Sequence, residues 1–206
     1  SKGVLCMAKL YFRYGVMGSS KSAQALITKF NYEEQGMRVW LMKPAADTRY
    51  GADKVHSRIG LEQPADVIDD DMDLYEVFRD REREFYDVII VDEAQFLQPA
   101  HVEQLREIVD YYNVPVFCFG LRTDFRTRLF PGSARLFELA DSVTELKTVC
   151  TCGGKAMVNA RIDAEGKVVT EGEQFLLGGN ESYRPMCYKC WKLKSKAGFR
   201  LGKTEE

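Results

Sequence analysis

The chain has 206 residues, 45% hydrophobic and 29% charged, with a formal net charge of −2. This is the composition of an ordinary globular protein, and the near-neutral balance gives no electrostatic reason to expect a nucleic-acid partner. No apolar run approaches the length of a bilayer span and no signal-peptide pattern opens the chain, so neither a membrane protein nor a secreted one is expected.

Ser1 to Cys6 bear no relation to the strand-like stretch that follows, and Met7 is a candidate natural start, so residues 1–7 are set apart as a flexible or added terminus. Leu10-Tyr11-Phe12 reads as a short strand and runs into Gly15-Val16-Met17-Gly18-Ser19-Ser20-Lys21-Ser22. That octet follows the phosphate-loop pattern, with Ser20 in place of the last glycine. Successive backbone N–H groups of such a loop wrap phosphates, Lys21 supplies a point charge to the outer ones, and the Ser22 hydroxyl can ligate magnesium. Ala23 to Gln35 is helix-compatible and stops at Gly36, which places the loop at a positive helix N-terminus. Glycine is favoured at position 20 where φ is positive. Gly15 and Gly18 remain for the tight turn, so Ser20 is expected at an ordinary φ and without penalty.

Val39–Met42 is a second strand, and the charged stretch Asp47 to Gly60 reads as loop. Helical spacing covers Asp73 to Phe85. Val88-Ile89-Ile90-Val91 then forms a run with no polar residue, the signature of a strand buried on both faces of a parallel sheet. Asp92 emerges at its carboxyl end, where open α/β sheets hold ligands and where a magnesium-binding acid is expected beside a phosphate loop. Glu93 follows and is expected on the opposite side of an extended chain. Gln98 to Tyr112 is an amphipathic helix opened by Pro99, Val114 to Phe119 a strand ending at Gly120, Leu136 to Ala140 a short helix and Val143 to Leu146 a last strand. Alternation of strands and helices predicts βαβ units around a parallel sheet.

Beyond Cys150 the helical signal vanishes. Met157–Ile162 and Gln174–Leu177 alternate like strands, and the basic tail from Lys189 to Lys203 reads as a solvated terminus. Cys150-x-Cys152 and Cys187-x-x-Cys190 flank this hairpin-like region, the sequence form of a tetrahedral structural zinc site; free thiols or a redox pair are the alternatives. With all four positions cysteine, no open coordination position is left for catalysis. Cys118 sits in an apolar strand and reads as core.

Several separated segments together resemble the type II thymidine kinases, nearest to the enterobacterial members. They are Gly15–Ser22, Asp47-Thr48-Arg49-Tyr50, Val91-Asp92-Glu93-Ala94-Gln95-Phe96, Gly120-Leu121-Arg122-Thr123-Asp124-Phe125 and Gly178-Gly179-Asn180-Glu181-Ser182-Tyr183. Ser20 and Ala23 depart from the family pattern. The resemblance implies an α/β parallel-sheet, P-loop NTPase-like domain over residues 8–148, a β-rich zinc lobe with a lasso loop over 149–192, and a flexible tail over 193–206. It implies transfer of the ATP γ-phosphate to the 5′-hydroxyl of thymidine in nucleotide salvage, with Glu93 as the catalytic base. On the ATP side it places Gly15, Val16, Met17, Gly18, Ser19, Ser20, Lys21, Ser22, Arg49, Asp92, Glu93, Ala94 and Gln95, with Ser22 and Asp92 on magnesium. Met17, Phe96, Leu121, Phe125, Phe130, Leu176, Gly178, Gly179 and Tyr183 would hold the thymine. Structural zinc on the four cysteines, a cytoplasmic homotetramer and feedback inhibition by thymidine triphosphate are further implications. Three other readings stay open: a kinase for another deoxynucleoside; a nucleic-acid-dependent NTPase, because Asp-Glu-Ala-Gln resembles a helicase magnesium motif; and a zinc-ribbon module on a degenerate nucleotide fold, which Ser20 keeps alive.

Overall fold

The computed structural model describes residues 7–46, 51, 53–80, 86–174 and 183–195. Strand β1 (Leu10–Tyr14) leads through the glycine-rich loop into helix α1 (Lys21–Glu33) and back into β2 (Val39–Pro44). A small antiparallel hairpin of β3 (Lys54–His56) and β4 (Glu62–Pro64) follows, then β5 (Asp66–Ile68), α2 (Leu74–Asp80) and β6 (Val88–Val91). The chain continues through α3 (Pro99–Tyr112), β7 (Val116–Gly120), α4 (Pro131–Leu139) and β8 (Ser142–Glu145).

Six of these strands form one sheet in the order β5-β2-β6-β7-β1-β8, with every pairing parallel. All carboxyl ends therefore lie on one edge, and only β7 separates the loop after β1 from the acid after β6. The expected parallel α/β architecture is present. Val88, Ile89, Ile90 and Val91 are each 0% exposed. Ile89 and Val91 pack with α2, α3 and α4, whereas Val88 and Ile90 pack with Ala25 and Leu26 of α1. A run without polar alternation follows from this double burial, worth roughly 1.5–3 kcal/mol for each large side chain.

Several sequence expectations need correction. The Asp47–Gly60 stretch contains β3, whose pairing with β4 lies outside any strong apolar pattern. Edge strand β5 was not anticipated, because three residues are too few to show a period; Ile68 is buried and Trp40 Nε1 donates to Asp66 Oδ2 at 2.8 Å. Helix α2 covers only part of the expected span, and residues 81–85 lie outside the described set.

The C-terminal region builds a three-stranded antiparallel sheet, β10-β9-β11, from β9 (Val158–Ile162), β10 (Val168–Val169) and β11 (Tyr183–Met186). The strand expected at Gln174–Leu177 has only Gln174 described, and that residue lies in a bend. A helix, α5 (Tyr188–Lys194), occupies what had read as solvated tail. Cys187 caps it by accepting the Cys190 N–H at Sγ (3.4 Å), and Trp191 is buried. Two turns of helix are too short to reveal a 3.6-residue period. Val16 of the glycine-rich loop packs in this lobe's core with Val158, Ala160, Met186 and Trp191, so the two parts of the chain share one apolar cluster. Among the described residues no helix is long and apolar enough to cross a membrane.

Candidate active site

Gly15 follows β1 and must be glycine, since a Cβ there would lie 2.3 Å from Ser19 Oγ and 2.5 Å from the Leu146 carbonyl. Gly18 takes φ 78° and Ser20 takes φ 62°, ψ 25°. The expectation of an ordinary φ at Ser20 is therefore wrong. From this left-handed position the Ser20 carbonyl accepts the Gln24 N–H at 2.9 Å and opens α1. A non-glycine residue in that region costs on the order of 1–2 kcal/mol. Lys21 is only 8% exposed; its ammonium donates to Val16 O at 2.8 Å and to Ser19 Oγ at 3.3 Å, holding the loop in a bowl.

Across β7 from this loop, Asp92 is 4% exposed and bonded to the Ser22 hydroxyl. Burial, followed by the Glu93 charge, pushes its carboxyl up to about 7, although Ser22, a backbone N–H and Lys21 pull the other way. A buried acid in that condition gains from a cation. The hydroxyl and carboxylate oxygens together fit magnesium, a hard cation that takes oxygen ligands.

Glu93 does not continue the strand. Its φ of 51° and ψ of 38° turn the chain into a single 3₁₀ turn, Ala94–Phe96, so the expectation of an extended Glu93 fails. Gln95, 1% exposed, donates from Nε2 to Glu93 Oε2 at 2.5 Å and accepts Leu121 N–H at Oε1 at 3.0 Å. Gly120 makes room for this, because a Cβ there would sit 2.8 Å from that same Oε1.

A cleft of about 330 Å³ gathers Met17, Gly18, Ser20, Lys21, Ser22, Asp92, Glu93 and Leu121. Lys43, His56 and Arg58 line it too and were not anticipated. Lys43, near the carboxyl end of β2, is 2% exposed and donates to the carbonyls of Gly51 and Lys54 at 3.1 Å each, and the folded hairpin brings His56 and Arg58 to the cleft. Of the expected base-binding aromatics, Phe96 and Phe130 meet edge to face at 5.7 Å. Phe125, 1% exposed, lies against the guanidinium of Arg161, which also bonds the Tyr183 hydroxyl. Arg49, Leu176, Gly178 and Gly179 lie outside the described residues.

The lobe is tied to the loop by Asn159, which is 2% exposed. Its Oδ1 accepts Met17 N–H at 2.7 Å and its Nδ2 donates to Thr123 O at 3.1 Å. Nothing in the local sequence marks Asn159, since Met17 is 142 positions away.

The four thiols of Cys150, Cys152, Cys187 and Cys190 have sulfur atoms all within 4.8 Å of one another, so they could hold a metal ion. Cys152 Sγ and Cys187 Sγ are 3.6 Å apart. Tetrahedral thiolate coordination at about 2.3 Å needs sulfurs close to this spacing. Backbone N–H groups of Cys152 and Cys187 bring the Cys150 thiol down to about 6, while hydrogen bonds from the crowded neighbouring thiols push Cys190 up to about 12. Four thiols so packed share negative charge poorly without a cation, and zinc fits them.

The thymidine kinase family model matches residues 8–191. The chain belongs to the thymidine kinase family. It is 48% identical over 195 residues to the thymidine kinase of Enterobacteria phage T4, covering 93% of this chain and 100% of that one. It is 47% identical over 200 residues to the thymidine kinase of Legionella pneumophila strain Lens, covering 96% and 93%. The thymidine kinase of Salmonella typhimurium is 46% identical over 187 residues, covering 90% and 91%. The resemblance read from the separated sequence motifs is thereby borne out, and with it the kinase's parallel sheet and glycine-rich loop find their family.

Proposed function

We propose that this kinase transfers the γ-phosphate of ATP to the 5′-hydroxyl of thymidine, giving thymidine monophosphate in nucleotide salvage. The observation that carries the reading is the convergence of Lys21, Ser22, Asp92 and Glu93 on one cleft with Met17 and Leu121. Phosphoryl transfer needs phosphate positioning, charge neutralisation and a base near the attacking hydroxyl. The loop from Gly15 to Ser22 cradles the phosphates through the N–H groups at its helix end, from Gly18 onward, while Gly15 and Met17 N–H brace it against Gly120 O and Asn159 Oδ1. Ala94 and Gln95 lie at the edge, and Lys21 attracts the outer phosphates. Ser22 and Asp92 hold magnesium, which when bound neutralises charge on the phosphate oxygens. Glu93, oriented by Gln95, accepts the 5′-hydroxyl proton. Arg49 is assigned to the phosphates through the family resemblance alone.

Met17, Leu121, Phe96, Phe125, Phe130 and Tyr183 hold the thymine, joined by Leu176, Gly178 and Gly179 of the lasso loop through the resemblance. Zinc on Cys150, Cys152, Cys187 and Cys190 fixes the lobe that carries Tyr183. Four reduced thiols suit a cytoplasmic enzyme. A homotetramer inhibited by thymidine triphosphate, whose thymine and phosphates would compete for the same cleft, completes the reading.

The test is ATP-dependent formation of thymidine monophosphate, run beside deoxyuridine, deoxycytidine and a polynucleotide. Thymidine-dependent product with no polynucleotide stimulation is expected. ATP turnover that needs a polynucleotide, or another deoxynucleoside phosphorylated in preference to thymidine, would replace the reading.

A further inference from the structure

Strand β9 shows two faces of different use. Val158 and Ala160 point into the lobe's apolar core, and the alternate residues Asn159 and Arg161, 2% and 6% exposed, serve polar contacts. Arg161 is directly opposite Tyr183 in the β9–β11 ladder, so strand register alone sets the two side chains on one face. Its guanidinium carbon lies 3.6 Å from the centre of the Phe125 ring. Nε and Nη2 donate to the Tyr183 hydroxyl at 3.0 and 2.6 Å, and Nη2 also donates to the Glu173 carbonyl at 3.0 Å. Among the described residues no carboxylate pairs with this buried cation. An arginine at such a depth normally has one, because desolvating a charge is costly. Here the ring face of Phe125 and the Tyr183 oxygen stand in for it.

We infer that Arg161 is a positioning residue for the nucleoside: it locks the Phe125 ring and the Tyr183 side chain, from two different parts of the chain, into one wall of the base pocket. The planar guanidinium suits both tasks at once, stacking through its face and donating through its edge. Lysine can supply the charge but not the paired donors. The inference rests on the proposed placement of Phe125 and Tyr183 beside the base. The hydrogen bonds and ring contacts of Arg161 run to Tyr183, Glu173 and Phe125 and none to the phosphate loop among the described residues, so its influence falls on the nucleoside and not on ATP.

The test is steady-state kinetics of the full chain with Arg161→Met, Arg161→Lys, Tyr183→Phe and Phe125→Ala, at varied thymidine and varied ATP. Arg161→Met should raise the thymidine KM about ten-fold or more while the ATP KM stays within about two-fold of wild type. Arg161→Lys should fall between the two. If Arg161→Met does not fold, Tyr183→Phe keeps the test, because it removes the hydroxyl that ties the Tyr183 side chain to the guanidinium, leaving only the Glu173 carbonyl as acceptor, and should raise the thymidine KM several-fold. An unchanged thymidine KM in Arg161→Met, or in Tyr183→Phe when that variant stands in, overturns the inference, as does a parallel rise in both KM values. Phe125→Ala separates the two levels. If it raises the thymidine KM while Arg161→Met does not, the pocket reading stands and the inference fails. If Phe125→Ala leaves that KM unchanged, the pocket reading itself falls and the inference falls with it.

Discussion

Gln95 holds Glu93 from one end of its carboxamide and the Leu121 N–H from the other, at 2.5 and 3.0 Å. A backbone N–H can only donate, so the amide oxygen must face Leu121 and the amide nitrogen must face Glu93. One oxygen of Glu93 is thereby fixed as an acceptor and its carboxyl is held in one orientation.

Replacing Glu93 with glutamine preserves size but removes the proton acceptor. We expect turnover to fall by about 10²-fold or more while thymidine still binds. Single-turnover rates beside a thymidine binding isotherm check this. Near-normal turnover would take the base assignment away from Glu93.

Cys187→Ser and Cys190→Ser each remove one of the four clustered sulfurs. Metal binding and local folding are coupled, so about one zinc per chain should be lost together with part of the lobe's protection from proteolysis. Metal analysis of the purified wild type is the check, and absence of stoichiometric zinc there would end the structural-zinc reading.

Ser20 sits at φ 62°. Ser20→Gly should relieve on the order of 1 kcal/mol of strain, partly offset by glycine's freedom in the unfolded chain. The loop already holds this turn, so the relief is expected in stability: Tm should rise by a few degrees at most while ATP affinity stays within about two-fold of wild type. Ser20→Val places a β-branched residue in the same left-handed turn and should lower Tm. Melting curves of the three proteins decide: equal Tm values would mean that position 20 is not held left-handed.

His101 is buried at the start of α3, where its Nδ1 accepts the Gln98 N–H at 3.2 Å and the ring also bonds the Met72 backbone. Burial lowers its pKa below the ordinary value of 6.5, although the Met72 bond and the charges of Asp70 and Asp73 oppose the shift. Between the folded value and 6.5 the unfolded chain binds more protons, so stability rises with pH in that window. His101's contribution is therefore present above about pH 6.5 and lost as pH falls through the folded value. Tm measured from pH 7.5 down to 5.5 should drop less steeply in His101→Gln than in wild type. Parallel curves would show that His101 does not titrate on unfolding.

The phosphate loop, the acid after β6 and the two cysteine pairs were legible because each is a local pattern. Glycine spacing, an unbroken apolar run and close thiols carry their chemistry within a few residues. The double burial of β6 was legible for the same reason, since Val88 to Val91 leave no polar face for solvent. The left-handed turns at Ser20 and Glu93 were not legible. Both residue types tolerate ordinary φ, and the turn is imposed by what precedes and follows it. Asn159 and Arg161 were beyond sequence reading altogether, for their partners come from distant segments and their polarity alone would place them on a surface. Only pairing β9 with β11, and seating that small sheet against Val16 and Phe125, turns Asn159 and Arg161 inward and joins the cysteine-bearing lobe to the glycine-rich loop. Local chemistry determined what the chain could bind. Long-range packing decided which side chains hold that chemistry in position, because hydrogen bonds between residues 142 positions apart exist only once the fold has closed.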